Sequence, residues 1–228
     1  MAAKKRISDR KRSRPVEKRS KITTFKKNKL WMGIIVVIIA IVAIAAVYIY
    51  LGNNTTQTEE EGNPIAVIET SMGTMKVELY EDKIPNTCEN FIKLANDGFY
   101  DGLVFHRVID DFMIQGGGFS ADGTQKQSPY GPIDLEINEE VHHVDGTIAM
   151  ARTSDPNSAT SQFFIDDGDQ PQLEPGGVDQ YGYTAFGKVI DGIDVVREIA
   201  SVETTSKYGA QDWPVDDVTI ISITIENQ

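Results

Sequence analysis

From Leu30 to Leu51 the chain reads LWMGIIVVIIAIVAIAAVYIYL, 22 positions without a charged residue. At 1.5 Å rise per residue such a helix is about 33 Å long, enough to cross a hydrocarbon core of about 30 Å. Trp31 stands at one end and Tyr48 and Tyr50 at the other, where amphipathic rings meet lipid headgroups. The pattern predicts a transmembrane helix over 30–51. The apolar run exceeds the usual signal-peptide core, and its Ala-x-Ala match, Ala43-Ile44-Ala45, lies inside it, so a retained signal anchor is expected.

Residues 52–63, GNNTTQTEEEGN, are polar and acidic and read as a flexible linker. The pattern then shortens. Met75, Val77 and Leu79 alternate with Lys76, Glu78 and Tyr80, which predicts a half-buried strand over 74–80, paired through a Met72-Gly73 turn with one over 65–70. Pro85 opens a predicted helix that runs to Asn96 and stops at Gly98. Further strands are predicted over 103–109, 112–115, 133–137, 147–152, 162–165, 184–189 and 218–226, with a second helix over 193–201. Many short strands and two helices predict a mainly β domain over 64–228, a closed β-barrel with the helices capping its ends, since closure leaves no free edge.

Charge divides the chain at the same place. The net charge is −12, yet residues 1–29 hold thirteen Lys or Arg against Asp9 and Glu17, or +11, leaving −23 for the remainder. A basic tail before an apolar helix keeps the N-terminus in the cytoplasm, so the expected location is the cell membrane, single-pass, with the domain outside the cytoplasm. The expected contact with the lipid bilayer is through residues 30–51. The acidic domain is not expected to bind nucleic acid. Cys88 is the single cysteine, which excludes an intramolecular disulfide, and it falls at helical spacing with Phe91, Ile92 and Ala95 as a buried thiol would.

The chemistry is concentrated in Phe105-His106-Arg107 and Phe112-Met113-Ile114-Gln115-Gly116-Gly117-Gly118, with Met150-Ala151-Arg152 and Ser161-Gln162-Phe163-Phe164 further on. The three histidines and one cysteine lack zinc-site spacing, no nucleophile elbow is present, and the glycine triplet lacks the Gly-Lys-Ser/Thr ending of a phosphate loop. No metal and no cofactor is expected.

These runs resemble the active-site signature of the cyclophilin family of peptidyl-prolyl cis-trans isomerases, and the resemblance extends over nearly all of 64–228, including Phe186-Gly187-Lys188-Val189. It implies eight antiparallel strands in the barrel and an isomerase acting on proline-containing polypeptides, here exported or surface ones. It also implies Arg107, Gln115 and Phe112 as catalytic residues, with His106, Met113, Ala151, Arg152, Gln162, Phe164, Leu173 and Tyr183 binding substrate. Phe112, Met113, Phe164 and Leu173 would form the proline socket, and Tyr183 stands where many members carry His. Gln172 replaces the Trp of cyclosporin-sensitive members, which implies weak binding of that drug, and Arg152 replaces a common Asn. The alternative is a membrane-tethered module that binds proline segments without turnover.

Overall fold

The computed structural model describes the backbone of residues 21–53 and 62–226, with side chains for 31–47 and 62–226. The chain divides into two compact units, Met1–Glu59 and Glu60–Gln228. Residues 1–20 of the basic tail expected over 1–29, and residues 54–61 of the linker, lie outside the described residues.

In the first unit, helix α1 spans Lys21–Asn53. The transmembrane span expected over 30–51 is not found: among the described residues no helix is long and apolar enough to cross a membrane.

The second unit is built on one antiparallel sheet. In sequence its strands are β1 (Ile65–Thr70), β2 (Gly73–Leu79), β4 (Arg107–Ile109), β5 (Met113–Gly116), β7 (Thr147–Met150), β8 (Phe163–Asp166), β9 (Ala185–Asp191) and β12 (Ile220–Glu226). In space the order is β12-β1-β2-β9-β7-β8-β5-β4. Two small pairs accompany it, β3 (Leu103–Val104) with β6 (Phe119–Ser120), and β10 (Thr204–Lys207) with β11 (Ala210–Pro214).

The main sheet has eight strands, but the closed barrel expected is not formed. β4 and β12 are the two edges of a curled half-barrel and form no ladder with each other. The strand expected over 103–109 breaks at Phe105-His106, because successive backbone groups turn to opposite edges: Phe105 N–H donates to Val218 O at 3.0 Å, whereas His106 N–H donates to Gln115 O, also at 3.0 Å. β4 pairs with β5 alone, and the backbone bonds toward the start of β12 come from the preceding segment, Gly102 N–H to Ile220 O at 2.9 Å and Phe105 N–H to Val218 O. The strand expected over 133–137 is a loop carrying one isolated bridge, Ile133 to Ala159.

Three α-helices are described, α1 in the first unit and two in the second. α2 (Pro85–Asn96) buries Cys88, Phe91, Leu94 and Ala95. The Phe91 ring meets those of Tyr100, Phe163 and Phe186 at centroid distances of 5.2–5.5 Å. Ile84 at its N-cap has no side-chain oxygen, and Glu136 supplies the cap instead, accepting the Thr87 N–H at 2.7 Å and the Thr87 hydroxyl at 2.6 Å. α3 (Ile193–Ala200) buries Val196, Ile199 and Ala200. Gly192, at φ +81°, lets the chain enter α3 directly against β2, where an added Cβ would come 2.4 Å from Thr74 O.

Candidate active site

Strand register decides which side chains face the site. Arg107 pairs with Gln115, Gln115 with Phe164 and Phe164 with Ala149, so this row shares one face of β4-β5-β8-β7. One residue along, Val108, Ile114, Ile165 and Ile148 form the row of the opposite face, each at most 1% exposed in the core. Period-two alternation therefore sends the aliphatic residues inward and leaves Arg107, Gln115 and Phe164, with Met113 two residues before Gln115, on the functional face.

That face carries a cleft of about 150 Å³. Phe112, Met113, Phe164 and Leu173 make its apolar part, and Arg107, Gln115, Ala151, Arg152 and Tyr183 border it. Met113, Phe164 and Leu173 are 2–4% exposed, so the socket walls are anchored in the core. Tyr183 meets Phe164 edge-on at 5.7 Å.

The Arg107 side chain is 41% exposed, with its Nη1 3.9 Å from the Met113 sulfur and its guanidinium carbon 5.8 Å from the Phe112 ring centroid. A guanidinium stays charged at physiological pH and donates without accepting. Asp212 Oδ2 lies 4.0 Å from Arg107 Nε; it comes from β11, over a hundred residues downstream, and nothing local in the sequence marks it.

Gln115 donates from Nε2 to Gln162 Oε1 at 3.0 Å. Gln162 lines a neighbouring cavity of about 260 Å³, together with Gln115, Ala151 and Arg152, rather than the apolar cleft. The Ala151 N–H is taken up by Gln162 O at 2.9 Å. The Arg152 side chain is 2% exposed and its donors are committed to the protein: Nε and Nη2 to Gly182 O at 3.0 and 2.6 Å, Nη2 to Asp179 at 2.6 Å and Nη1 to Thr153 O at 2.9 Å. Its guanidinium also lies 4.5 Å from the Tyr183 ring centroid.

His106 is not brought into the cleft. Its ring is buried against Phe119 and Trp213, at centroid distances of 4.6 and 5.9 Å, and Nδ1 has no hydrogen-bond partner among the described residues. Burial pushes its pKa down to about 4, so the ring is neutral near pH 7. Asp110, Asp111 and Asp167 bring carboxylate oxygens within 4.8 Å of one another, but Asp167 already receives the Arg197 guanidinium and the Asp111 N–H, which satisfy its charge without a metal.

Residues 65–225 match the family model described as cyclophilin type peptidyl-prolyl cis-trans isomerase/CLD. The chain belongs to the cyclophilins. A peptidyl-prolyl cis-trans isomerase of Acinetobacter baylyi is 42% identical over 181 residues, covering 79% of this chain and 95% of that protein. The isomerase cyp18 of Streptomyces antibioticus is 47% identical over 163 residues, 69% of this chain and 96% of its own length. A Cryptosporidium parvum cyclophilin crystallised in the presence of the dipeptide Ala-Pro superposes with a TM-score of 0.60 at 31% identity, covering 72% of this chain and 99% of the other. This cyclophilin is thus an enzyme of the peptidyl-prolyl cis-trans isomerase class, EC 5.2.1.8.

Proposed function

We propose that the cleft seats the ring of a substrate proline among Phe112, Met113, Phe164 and Leu173, while Arg107 lowers the barrier to rotation about the bond before it. That barrier, about 18–20 kcal/mol, exists because the imide nitrogen shares its lone pair with the carbonyl. A cationic donor aimed at the nitrogen favours the twisted state, in which the lone pair is localised, over either planar isomer, and only such differential binding accelerates the step. A 10⁵-fold acceleration requires about 7 kcal/mol, which one charged donor and a shaped socket share. Catalysis is non-covalent. The Gln115–Gln162 amides hold the peptide backbone, and Tyr183 offers a phenolic hydroxyl to a substrate carbonyl.

The observation that carries this reading is the guanidinium at the mouth of an apolar cleft, 3.9 Å from the Met113 sulfur. Exchange NMR on an Ala-Pro-containing peptide with the full chain tests it. Arg107→Ala is expected to slow exchange by about 10²-fold, the usual effect of losing one transition-state donor. An unchanged rate would refute the role given to Arg107, and no acceleration by the unsubstituted chain would leave a proline-binding module without turnover.

The reading extends to clients: exported or surface polypeptides, supported by the opposite charges of residues 1–29 and the rest of the chain. Digestion of the domain by protease added to opened-wall cells tests that placement, and complete protection would refute it. Gln172 sends its amide to Gln170 Oε1 at 2.5 Å and offers no indole, which supports weak cyclosporin binding.

A further inference from the structure

Behind the socket lies a buried acid–base pair that the proposed mechanism does not use. His143 Nδ1 is 2.9 Å from Asp166 Oδ2, and the two side chains are 1% and 0% exposed. The other ring nitrogen, Nε2, is 3.1 Å from the backbone carbonyl oxygen of Tyr183. The His143 ring also stacks on Phe164, 11° from parallel with centroids 6.0 Å apart. One imidazole therefore touches both the Phe164 and the Tyr183 walls of the cleft.

The proton count follows from donors and acceptors. A carbonyl only accepts, so the contact with Tyr183 requires a proton on Nε2. The contact with Asp166 then requires one further proton between Nδ1 and Oδ2, either on an imidazolium facing a carboxylate or on a carboxylic acid facing a neutral ring. Remove that proton, and either the Nδ1 lone pair faces the carboxylate or the Nε2 lone pair faces the Tyr183 carbonyl. Asp166 Oδ1 is buried without a hydrogen-bond partner among the described residues, so nothing else relieves the pair.

We propose that His143 is a positioning residue for the cleft: the proton it shares with Asp166 ties the Tyr183 backbone to the Phe164 wall, and loss of that proton loosens the proline socket. This rests on the isomerase reading for its assay but not for its physical content. The surrounding charges favour retention of the proton. Glu174 accepts the His143 N–H at 2.8 Å and lies 3.3 Å from His142 Nδ1, while Asp145 and Asp167 carry the Arg197 guanidinium. Lys188 lies opposite Thr147 across the β7–β9 pairing, and the Arg152 guanidinium lies 4.5 Å from the Tyr183 ring centroid. Burial alone would lower the imidazole's pKa, but the Asp166 hydrogen bond and charge, the Tyr183 carbonyl and Glu174 together raise it above the ordinary value. Burial raises Asp166 to about 6.

The test uses the full chain, a proline peptide and two readouts against pH: peptide affinity by NMR titration, and the ring ¹⁵N shifts of His143. Affinity is expected to weaken roughly fivefold as His143 loses its proton on the alkaline side, about one buried hydrogen bond's net contribution, with the same midpoint in both readouts. The effect falls on KM, with kcat little changed. In Asp166→Asn, which removes the charge, both midpoints are expected to move together to lower pH. Affinity that stays flat through the His143 titration overturns the proposal, and this comparison needs no variant to fold. Absence of exchange catalysis at every pH would instead sink the isomerase reading and leave the affinity comparison standing.

Discussion

Gly118→Ala is a small change with a traceable consequence. Gly118 follows β5, and a Cβ added there would lie 2.5, 2.6 and 2.7 Å from Cγ, Cδ and Nε2 of Gln162, where ordinary contacts begin at 3.4 Å. Backbone strain does not enter, since Gly118 does not have a positive φ. Gln162 must withdraw by about 1 Å, which breaks its 3.0 Å bond from Gln115, because that separation would exceed hydrogen-bonding range. A neutral bond contributes about 1 kcal/mol net, or about fivefold, and displacement of positioning groups by about 1 Å can raise the loss towards a hundredfold. Catalytic efficiency in the peptide-exchange assay is therefore expected to fall between about fivefold and a hundredfold. Urea unfolding should change by less than about 1 kcal/mol, because Gln162 is half-buried and can swing aside, and Ala restricts the unfolded chain. A double-mutant cycle decides the cause: in a Gln162→Ala background the clashing atoms are gone, so Gly118→Ala should add almost nothing. Additive losses would refute the reasoning.

Three further outcomes are expected. His106, held down to about 4 by burial, binds its proton more weakly folded than unfolded. Its contribution to stability is thus intact above about pH 6.5 and shrinks as pH falls toward 4, so wild type should lose about 2–3 kcal/mol relative to His106→Phe between pH 7 and 4.5 in urea titrations. Equal slopes for the two proteins would contradict this. Cys88 is fully buried, with its thiol 3.4 Å from Phe186 O, and burial drives its pKa far up, so it should resist thiol reagents at pH 8 until the domain unfolds. Arg152→Lys keeps the charge but cannot reproduce the fork to Gly182 O and Asp179; stability should drop by about 1–2 kcal/mol, and amide exchange over residues 176–183 should quicken. Unchanged exchange there would show that Arg152 does not brace the loop.

Local pattern carried much of this protein. Alternation at Met75, Val77 and Leu79 marked β2, and Pro85 and Gly98 bounded α2, because strand period, proline geometry and the left-handed glycine at φ +63° are properties of a few adjacent residues. The family resemblance likewise marked Arg107, Phe112, Met113 and Gln115, which two adjacent paired strands bring to the cleft. What depends on partners distant in sequence was not legible. The barrel was expected to close because many short strands need their edges covered; it stays open because the backbone bonds toward the start of β12 are made by Gly102 and Phe105, before β4 begins, and β4 itself pairs only with β5. His106 looked like a groove residue from its motif, but Phe119 and Trp213 close over it. Asp212 beside Arg107 and His143 behind Phe164 carry no sequence mark at all. Sequence by itself determined the elements, the family and which side chains the strand pleat turns toward the site; tertiary packing decided which of them reach the cleft and which buried charges brace it, because hydrogen-bond partners and desolvation are set by contacts that only the folded chain creates.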